Sequence, residues 1–486
     1  MQAVLPVLLT DSYKQSHKRQ YPEGTTLIYS NMTPRSSRVS CVDKVVFFGL
    51  QYFIKEYLIR QFNENFFNLP KKEVIRRFNR TLTNHLGSCD STHIEQLHDL
   101  GYLPICIKAL PEGTETPLKV PMVVLYNTHP DFFWFTNSIE SILSNILWMP
   151  CTSATTALRY RRVFESFAEK TGADKSFIPF QGHDFSFRGM TSLESACTSG
   201  SAHLLSFLGT DTIPALDLLE NYYGANQDSD LIGLSVCASE HSTQTLCALN
   251  ETETPDDAIY LDRMLDIYPS GIFSIVADGF DFWKFMTDVL PSRKDRIMSR
   301  DGKVVTRPDS GDPVKIICGD PDSTIECVRK GAIETLWDTF GGTLTDKGYK
   351  VLDSHVGLIY GDSITPERQV EILSKLEQKG FASSNVVLGV GSFTYQYVTR
   401  DTYGFAMKAT FAVVNGKQIE IYKDPKTDDG TKKSARGLLR VNSDFTLTDR
   451  VSWSEEGGLL EPVFLDGKLV KDQSLSEIRT RINDIV

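Results

Sequence analysis

The chain has 486 residues, of which 41% are hydrophobic and 23% charged, a composition typical of a globular protein with two or three domains. Its 51 basic and 62 acidic side chains give a formal net charge of -11, which disfavours nucleic-acid binding. No apolar run reaches the ~20 residues of a membrane span, and nine scattered cysteines favour the reducing cytoplasm over a disulfide framework or zinc site.

The N-terminal part is predicted to be mixed and mainly β. Short runs rich in β-branched and aromatic residues, bounded by Pro and Gly, alternate with segments in which apolar residues recur at helical spacing. The β runs lie at 26–30, 103–108 and 122–126, and the helical segments at 48–60, 71–86, 132–148 and 152–170. Pro150 separates the last two segments and predicts a break between them.

The middle of the chain repeats one unit, in which an apolar strand leads into a polar or Gly-containing loop and then into a helix. The apolar runs are 178–180, 231–237, 272–276, 304–306, 356–360 and 386–388. Such repetition indicates an α/β fold with parallel strands. Functional-looking residues at the strand ends favour a barrel with its site at the carboxyl-terminal edge, here called the rim. An open doubly wound sheet would also gather these ends.

The C-terminal part is predicted to be antiparallel β. Residues 411–421 contain an Asn-Gly hairpin signal, and 463–470 look like a second hairpin. We therefore expect both chain ends to combine in one flanking domain, residues 1–150 with 400–486, around a barrel of residues 151–399. Residues 424–437, rich in Lys, Asp, Gly and Thr, are predicted to form a mobile basic loop.

The most informative stretch is 181–189, followed by 209–212. It brings aromatic rings, a guanidinium, a carboxylate and glycines close together in the chain, as a site for a flat ring beside a phosphate requires. Phe185 and Phe187 would face opposite sides if the backbone is extended. One can be core while the other offers its ring to a ligand, and both assignments are open.

Several rim residues suit a phosphate-rich substrate. The sequence 389–392, Gly-Val-Gly-Ser, can form a nest of backbone amides. Arg188, Arg307 and Arg400 each flank a rim loop, and a guanidinium fork matches phosphate oxygens. Each feature alone is more often a turn or a surface arginine, but together they favour a polyphosphate.

Acidic residues and one histidine also fall on the rim. Asp278, Asp309 and Asp362 follow successive strands. They can contact ribose hydroxyls, hold Mg²⁺ through water or orient a histidine, although capping a helix is the common role of an isolated aspartate. His241, preceded by Glu240, follows another strand, and a chemical and a structural role are equally compatible with its position.

Nearly end to end, the chain resembles the nicotinamide phosphoribosyltransferases of the type II phosphoribosyltransferase family. The matching stretches are 10–14, 48–52, 183–185 with 188–189, 201–204, 209–212, 240–243, 307–311, 361–362, 399–401 and 423–425. The resemblance implies an irregular parallel (β/α) barrel with a mainly antiparallel β flanking domain. It also implies transfer of a phosphoribosyl group from phosphoribosyl pyrophosphate to nicotinamide, giving nicotinamide mononucleotide and pyrophosphate.

The resemblance further implies Mg²⁺ and ATP. Mg²⁺ would be held mainly through the substrate pyrophosphate, with Asp309 reaching it through water, and the protein ligands are otherwise unknown. ATP would phosphorylate a histidine, which by position is His241, with Glu240 and Asp278 as its partners.

Roles in substrate binding follow from the same resemblance. Phe185 and Tyr13 of a second subunit would sandwich the pyridine ring, and Asp211 would accept the carboxamide NH₂. Arg188 and Arg307 would bind pyrophosphate, Asp309 and Asp362 would contact ribose, and the loop around Gly391 would hold the 5′-phosphate. Gly361 would also belong to the substrate-binding residues. The partner subunit would supply further phosphate ligands, namely Arg35, Arg400, Lys408 and Lys423. These shared sites imply an obligate homodimer.

The chain departs from the family at Ser392, where some members continue with glycines. The Cβ of a serine restricts the backbone, but its hydroxyl can serve as an additional phosphate donor. We therefore expect Ser392 to contact the 5′-phosphate.

Three other functions compete with this assignment. A nicotinate phosphoribosyltransferase shares the donor, but the Asp211 carboxylate would repel the nicotinate carboxylate. A barrel glycosidase would use two rim aspartates and leaves the arginines and the glycine loop unexplained. For a catalytically silent binding or signalling protein, His241, Arg307 and Asp309 would have no task.

Overall fold

The computed structural model describes residues 4–249, 254–423 and 435–486. The chain divides into two units, the first of Met1–Thr155, Leu218–Ala225 and Val398–Ile485, and the second of Thr156–Asp217 and Asn226–Tyr397 with Val486. Of the predicted basic loop, residues 424–434 lie outside the described residues. No helix in the described ranges has the length and apolarity needed to cross a membrane.

The first unit is built on an antiparallel sheet that takes strands from both chain ends. Its strands, in spatial order, are Lys417–Glu420, Phe405–Val414, Thr25–Pro34, Val123–Asn127, Ile105–Ala109, Glu461–Leu465 and Lys468–Leu469. Asn415 and Gly416 have φ of 49° and 72°, the left-handed backbone of a tight hairpin turn. The predicted antiparallel domain formed by the two chain ends is confirmed.

Smaller sheets and helices complete the first unit. The further strands are Lys44–Val46 with Glu115–Pro117, and Leu438–Val441 with Leu447–Val451 and Gly457–Gly458. The helices are Pro6–Leu8, Ser12–Arg19, Leu50–Phe53 continued by the π-helical turns Ile54–Gln61 and Asn63–Phe67, Lys71–Leu86, Thr92–Leu100, Pro130–Phe132 and Leu475–Asn483.

The break predicted at Pro150 is wrong, because one helix runs from Phe133 to Thr171 with Pro150 inside it. Proline removes one backbone hydrogen bond, but buried side chains on both sides of it, including Leu147 and Cys151, hold the helix in place. Gly49 accommodates the proline ring, since a Cβ at Gly49 would lie 2.8 Å from Pro150 Cγ. Tertiary packing thus overrides the local signal.

The second unit is a parallel barrel. Its strands, in spatial order, are Gly209–Thr210, Gly182–Asp184, Val386–Val390, Val356–Tyr360, Asp301–Arg307, Ser270–Val276 and Cys237–Ala238. Leu234, just before the last of these, forms a parallel bridge with Gly209, so the two edges of the sheet meet. The predicted irregular parallel barrel is confirmed. The junction of the two edges, where Gly209–Thr210 meets the segment 234–238, is short and irregular and is here called the seam.

Helices surround the barrel, and a two-stranded ribbon of Gly342–Leu344 and Lys350–Leu352 lies beside them in the chain. The helices are Lys175–Phe180, Phe187–Gly189, Leu193–His203, Pro214–Tyr223, His241–Leu249, Asp257–Ile267, Phe282–Lys284, Phe285–Val289, Leu290–Ser292, Lys294–Met298, Pro313–Cys318, Glu326–Lys330, Ala332–Phe340, Pro366–Gln378, Ser383–Asn385 and Ser392–Gln396, followed in the first unit by Arg400–Thr402. Buried apolar side chains such as Phe164, Phe285 and Leu388 form the core between strands and helices.

Two predicted strands differ from the structure. Residues 178–180 belong to the 3-10 helix Lys175–Phe180, because Pro179 cannot donate to a strand ladder, and the strand begins only at Gly182. The run 231–237 pairs only at Leu234 and from Cys237 onward. Both differences lie at the seam, where the barrel is least regular.

Candidate active site

Most of the residues predicted for the rim are brought together because the barrel strands are parallel. The prediction is wrong for Arg400, which belongs to the first unit. Phe185, Asp211 and Asp278 follow three strands closely, Arg307 ends a fourth, and all these strands end at the same edge. A cavity of about 510 Å³, here called the barrel cavity, opens among them and is lined by His183, Phe185, Arg188, Asp211, Ser235, Ser239, Glu240 and Arg307, and deeper by apolar side chains of the strands.

A buried carboxylate shapes the turn that carries Phe185. Asp184 accepts hydrogen bonds from the Ser186 N–H (2.9 Å) and the Thr212 hydroxyl (2.7 Å), so it ties the turn to the neighbouring strand end. Phe185 then donates its N–H to the carbonyl of Val390 (3.0 Å). Sequence reasoning did not assign a role to Asp184, although the motif that contains it was recognised.

The ring of Phe185 lies against bare backbone. A Cβ at Gly389 would come within 2.3 Å of Phe185 Cδ2, and one at Gly361 within 3.0 Å of Cε2, so both positions need glycine for the ring to lie there. Phe187, by contrast, is 42% exposed. Of the two phenylalanines left open by the sequence, Phe185 is therefore the one that lines the barrel cavity.

We expect Gly389→Ala to raise the KM for the ring-bearing substrate by about tenfold, because the new methyl group must displace Phe185. Steady-state kinetics with the acceptor varied measure this. Gly357→Ala is the matched control, because Gly357 also lines the barrel cavity from a neighbouring strand. Its new methyl group would meet Lys303 Cδ at 3.3 Å and Val305 Cγ2 at 3.6 Å, but not Phe185. Equal KM values in the two variants would contradict the proposed role of Phe185.

Asp211 forms a small network at the mouth of the barrel cavity. Its Oδ1 accepts from His183 Nε2 at 2.9 Å and from the Ser235 hydroxyl at 2.7 Å, and no hydrogen bond from the described residues reaches Oδ2. Burial opposes ionisation, but these donors and the charge of Arg307 outweigh it, so the pKa of Asp211 lies below its usual value. The sequence analysis did not identify His183 and Ser235 as site residues. The only indication in the sequence was that His183 lies close to Phe185 and Ser235 lies close to a rim loop.

Asp278 joins two loops of the rim. Its Oδ1 accepts from His241 Nε2 at 3.1 Å, and its Oδ2 accepts from the Asp309 N–H at 2.9 Å and the Ser310 hydroxyl at 2.7 Å. Burial raises its pKa, yet these hydrogen bonds prevail and the pKa lies below the usual value. The Asp278 side chain is 3% exposed and that of His241 47%, so an ionised carboxylate orients an accessible imidazole.

Glu240, predicted as a partner of His241, has another neighbour. In the described part of the chain its carboxylate accepts from the Ser242 hydroxyl, and no hydrogen bond to His241 is present. Glu240 lines the barrel cavity, whereas His241 is not among the described residues that line it.

Two guanidinium groups face the barrel cavity. Arg307 Nη2 donates to the Ser239 carbonyl at 3.0 Å, and Nη1 lies 3.9 Å from Asp309 Oδ2. Nη1 is thus beyond hydrogen-bond distance of that carboxylate and keeps donor capacity for a ligand. Arg188 is exposed and lines the same cavity.

Hydrogen bonds also order the remaining rim loops. The Tyr360 hydroxyl donates to the carbonyls of Ser310 and Gly311 at 3.1 and 2.9 Å, which fixes the loop carrying Asp309. Asp362 accepts from the Ser363 hydroxyl at 3.0 Å. These carboxylates lie in the loops that follow two adjacent strands, Asp301–Arg307 and Val356–Tyr360.

The glycine loop lies beside the turn that carries Arg188. The helix Ser392–Gln396 begins after Gly391, and a Cβ at Gly189 would come within 1.9 Å of the Ser392 hydroxyl oxygen. Gly189 is therefore required for the two loops to approach each other. The side chain of Ser392 packs against this backbone, next to the predicted phosphate loop.

The residues predicted to serve a partner subunit lie in the first unit. Tyr13, which is 62% exposed, and Arg400 line one cavity of about 420 Å³, together with Lys14 and Glu140. The last two form an ion pair of 2.7 Å that fixes the backbone next to Tyr13.

The other three predicted partner residues do not line that cavity in the described chain. Arg35 Nε donates to the Gly404 carbonyl at 3.1 Å. Lys408 lies on the strand Phe405–Val414, opposite Asn31, and Lys423 is exposed.

A metal centre made of protein ligands alone is not present in the described ranges, where no group of three or more His, Cys, Asp or Glu side chains converges. Single carboxylates, including Asp309, remain as donors at the rim.

Comparison with known proteins places this geometry in a family. A model of the nicotinate phosphoribosyltransferase (NAPRTase) family matches residues 180–464, and a model of the nicotinamide phosphoribosyltransferase N-terminal domain matches residues 6–107. The chain is 50% identical over 496 residues to a nicotinamide phosphoribosyltransferase of Acinetobacter baylyi, a match that covers 98% of this chain and 97% of that protein.

Solved structures share the fold. A nicotinate-nucleotide pyrophosphorylase from Pyrococcus furiosus matches with a TM-score of 0.55 at 15% identity, covering 98% of this chain and 93% of that one. Human nicotinic acid phosphoribosyltransferase matches with a TM-score of 0.54 at 14% identity and the same coverage. The family models and the 50% identical relative show that the chain belongs to the nicotinate phosphoribosyltransferase family, within which it is a member of the nicotinamide phosphoribosyltransferases.

Proposed function

We propose that the chain is a pentosyltransferase of NAD biosynthesis that joins nicotinamide to the ribose of phosphoribosyl pyrophosphate, releasing pyrophosphate. The observation that carries the proposal is the ionised Asp211 beside Phe185, in a cavity whose mouth also holds Arg188 and Arg307. An aromatic face, an acceptor for an amide and two guanidinium groups are the features that distinguish this reaction from its rivals.

The chemistry follows from the charges that develop during the reaction. As the bond from C1′ to pyrophosphate breaks, positive charge grows on the ribose and negative charge on the leaving group. Arg188 and Arg307 stabilise the leaving group, and Asp309 and Asp362 face the ribose. Phe185 holds the pyridine ring so that its nitrogen points at C1′, which supplies proximity.

The decisive experiment incubates the purified chain with phosphoribosyl pyrophosphate and Mg²⁺, with either nicotinamide or nicotinate. We expect nicotinamide mononucleotide as the main product. Equal use of both acceptors would favour the nicotinate enzymes, and no turnover of either acceptor would favour a silent binding protein.

Mg²⁺ belongs to the same proposal. It would bind the pyrophosphate oxygens, with the Asp309 carboxylate reaching it through water, and would neutralise charge on the leaving group. Chelation should abolish turnover, and added Mg²⁺ should restore it.

We further propose that ATP stimulates the reaction by phosphorylating His241. The carboxylate of Asp278 holds the Nε2–H of His241, which leaves Nδ1 as the nucleophile toward the γ-phosphoryl group, with ADP leaving. Later hydrolysis of the phosphoimidazole would return the histidine and release phosphate.

His241→Ala is therefore expected to lose ATP stimulation while basal transfer without ATP changes by no more than about threefold. Initial rates with and without ATP measure this. The matched control is His355→Ala, which removes a histidine held by Asp353 at 2.6 Å outside the barrel cavity. Full ATP stimulation in His241→Ala would refute the role of His241.

A homodimer with shared sites is the last part of the proposal. The exposed apolar side chains of the barrel unit are of the kind that a subunit interface covers, namely Phe187, Leu193, Ile213, Phe393 and Tyr397. Tyr13 and Arg400 line a cavity of the first unit and would complete the barrel cavity of a second copy.

Mixing inactive Tyr13→Ala subunits with inactive Arg307→Ala subunits should restore up to about a quarter of the activity per site, because some mixed dimers carry one intact site. Activity after verified subunit exchange measures this. Unmixed variants carried through the same exchange are the control, and no recovery despite exchange would contradict shared sites.

We also infer a cytoplasmic location. All nine cysteines are free, as expected in a reducing compartment.

A further inference from the structure

A histidine that no step of the reaction uses lies buried beneath the rim. His203 ends the helix Leu193–His203 and is completely buried, as is Tyr395 of the helix Ser392–Gln396. His203 Nδ1 lies 2.6 Å from the Tyr395 hydroxyl, and Nε2 lies 3.3 and 3.1 Å from the carbonyl oxygens of Gly182 and Gly209. Polar groups at such depth cost stability unless they are satisfied, and both ring nitrogens are satisfied here.

The partners determine the protonation of this ring. Carbonyl oxygens only accept, so Nε2 must carry the proton that it shares between Gly182 and Gly209. Burial lowers the pKa of His203, and the ring is therefore neutral with a bare Nδ1. The Tyr395 hydroxyl must then donate to Nδ1. All three hydrogen bonds are therefore donated in the same direction, from Tyr395 to His203 and from His203 to the two carbonyl oxygens.

This chain of hydrogen bonds connects the elements that carry both halves of the proposed site. Gly182 begins the strand that leads to Phe185, and Gly209 begins the strand that leads to Asp211. Tyr395 donates its own backbone N–H to the Gly391 carbonyl at 3.3 Å, within the predicted phosphate loop.

The packing leaves little freedom around the ring. His203 stacks on Phe207 with centroids 5.1 Å apart, and a Cβ at Gly182 would meet Phe207 at 2.8 Å. A shift of His203 would thus move a strand or the glycine loop.

We propose that His203 is a positioning residue that sets the spacing between the acceptor pocket, through Gly182 and Gly209, and the phosphate loop, through Tyr395. The inference rests on the proposed function, because it assigns these two regions to nicotinamide and to phosphoribosyl pyrophosphate. His203 touches neither substrate.

Two variants separate the two connections. Tyr395→Phe removes only the hydroxyl that donates to Nδ1, so it should raise the KM for phosphoribosyl pyrophosphate about fivefold while the KM for nicotinamide stays within about twofold. His203→Asn keeps an acceptor near Nδ1 but loses the donor at the Nε2 position. It should show the opposite pattern, with the KM for nicotinamide raised about fivefold.

Tyr223→Phe is the matched control. Tyr223 is equally buried and donates to Glu112 at 2.9 Å in the first unit, so its loss should lower the melting temperature without changing either KM. If the role of His203 were purely structural, Tyr395→Phe and His203→Asn would behave like Tyr223→Phe, with a lower melting temperature and both KM values unchanged.

The outcomes separate this inference from the proposed function. A wild-type chain without activity on nicotinamide refutes the function itself. An active wild type with unchanged KM values in Tyr395→Phe, or with both KM values raised equally in both site variants, overturns the positioning role. If His203→Asn does not fold, Tyr395→Phe alone decides through the ratio of its two KM values.

Discussion

Arg307→Ala is expected to lower kcat by about 10²–10³-fold, the usual cost of removing one preorganised donor to a developing negative charge. Arg307 lines the barrel cavity and is held there by the Ser239 carbonyl, and its Nη1 lies 3.9 Å from Asp309 Oδ2, beyond hydrogen-bond distance. Its unused donors therefore suit the pyrophosphate leaving group, on which charge increases in the transition state. Steady-state kinetics at saturating substrates measure the loss.

Two further variants sharpen this test. Arg307→Lys keeps the charge but loses the planar fork, so its kcat should lie between those of the wild type and Arg307→Ala. Arg293→Ala is the control, since Arg293 pairs with Asp262 at 2.7 Å outside the barrel cavity and its removal should leave kcat unchanged. If Arg307→Ala instead raised only the KM, Arg307 would bind ground and transition states equally.

The regular part of the barrel could be predicted from the sequence because its strands are short and mainly apolar. The runs 272–276, 304–306, 356–360 and 386–388 have only Ser274 and Thr306 as polar members, and each run falls within an observed strand. The seam could not be predicted, since Pro179 diverts one run into a 3-10 helix. The uninterrupted helix through Pro150 also depends on packing from residues distant in the chain.

The same contrast holds for the site. Parallel strands are enough to predict that Asp278, Asp309 and Arg307 share one rim, whereas the two-residue strand Gly209–Thr210 before Asp211 was not predicted. The hydrogen bonds that define their chemistry are not local, because Asp278 is bonded by Asp309 and Ser310, some 30 residues later in the chain. The choice of Phe185 over Phe187 likewise depends on the bare backbone of Gly389.

Asp211→Asn is expected to reduce the preference for nicotinamide over nicotinate by about a hundredfold, measured as the ratio of the two kcat/KM values. In the wild type an ionised Asp211 accepts from a carboxamide and repels a carboxylate. Its side chain is 46% exposed, so solvent screens the repulsion and keeps the effect well below that of a fully buried pair. Asn Oδ1 can still accept from His183, so the pocket should keep its shape.

Asp217→Asn is the matched control, because Asp217 is an exposed carboxylate bonded by Gln227 at 3.1 Å and does not line the barrel cavity. The ratio of the kcat/KM values for nicotinamide and nicotinate in Asp217→Asn should equal that of the wild type. If Asp211→Asn also kept the wild-type ratio, selection of the amide would have to come from other residues.

The pH dependence of this preference follows from the direction of the pKa shift. The pKa of Asp211 lies below its usual value, so the carboxylate is charged at every pH above the ordinary aspartate pKa of about 4. The preference for nicotinamide should therefore be constant between about pH 6 and 8 and decline only in more acidic solution, as Asp211 takes up a proton and loses its charge. Asp211→Asn, which cannot ionise, should show no such decline. A preference that fell in the wild type between pH 8 and 6 would instead indicate a group with a pKa in that range, such as a histidine.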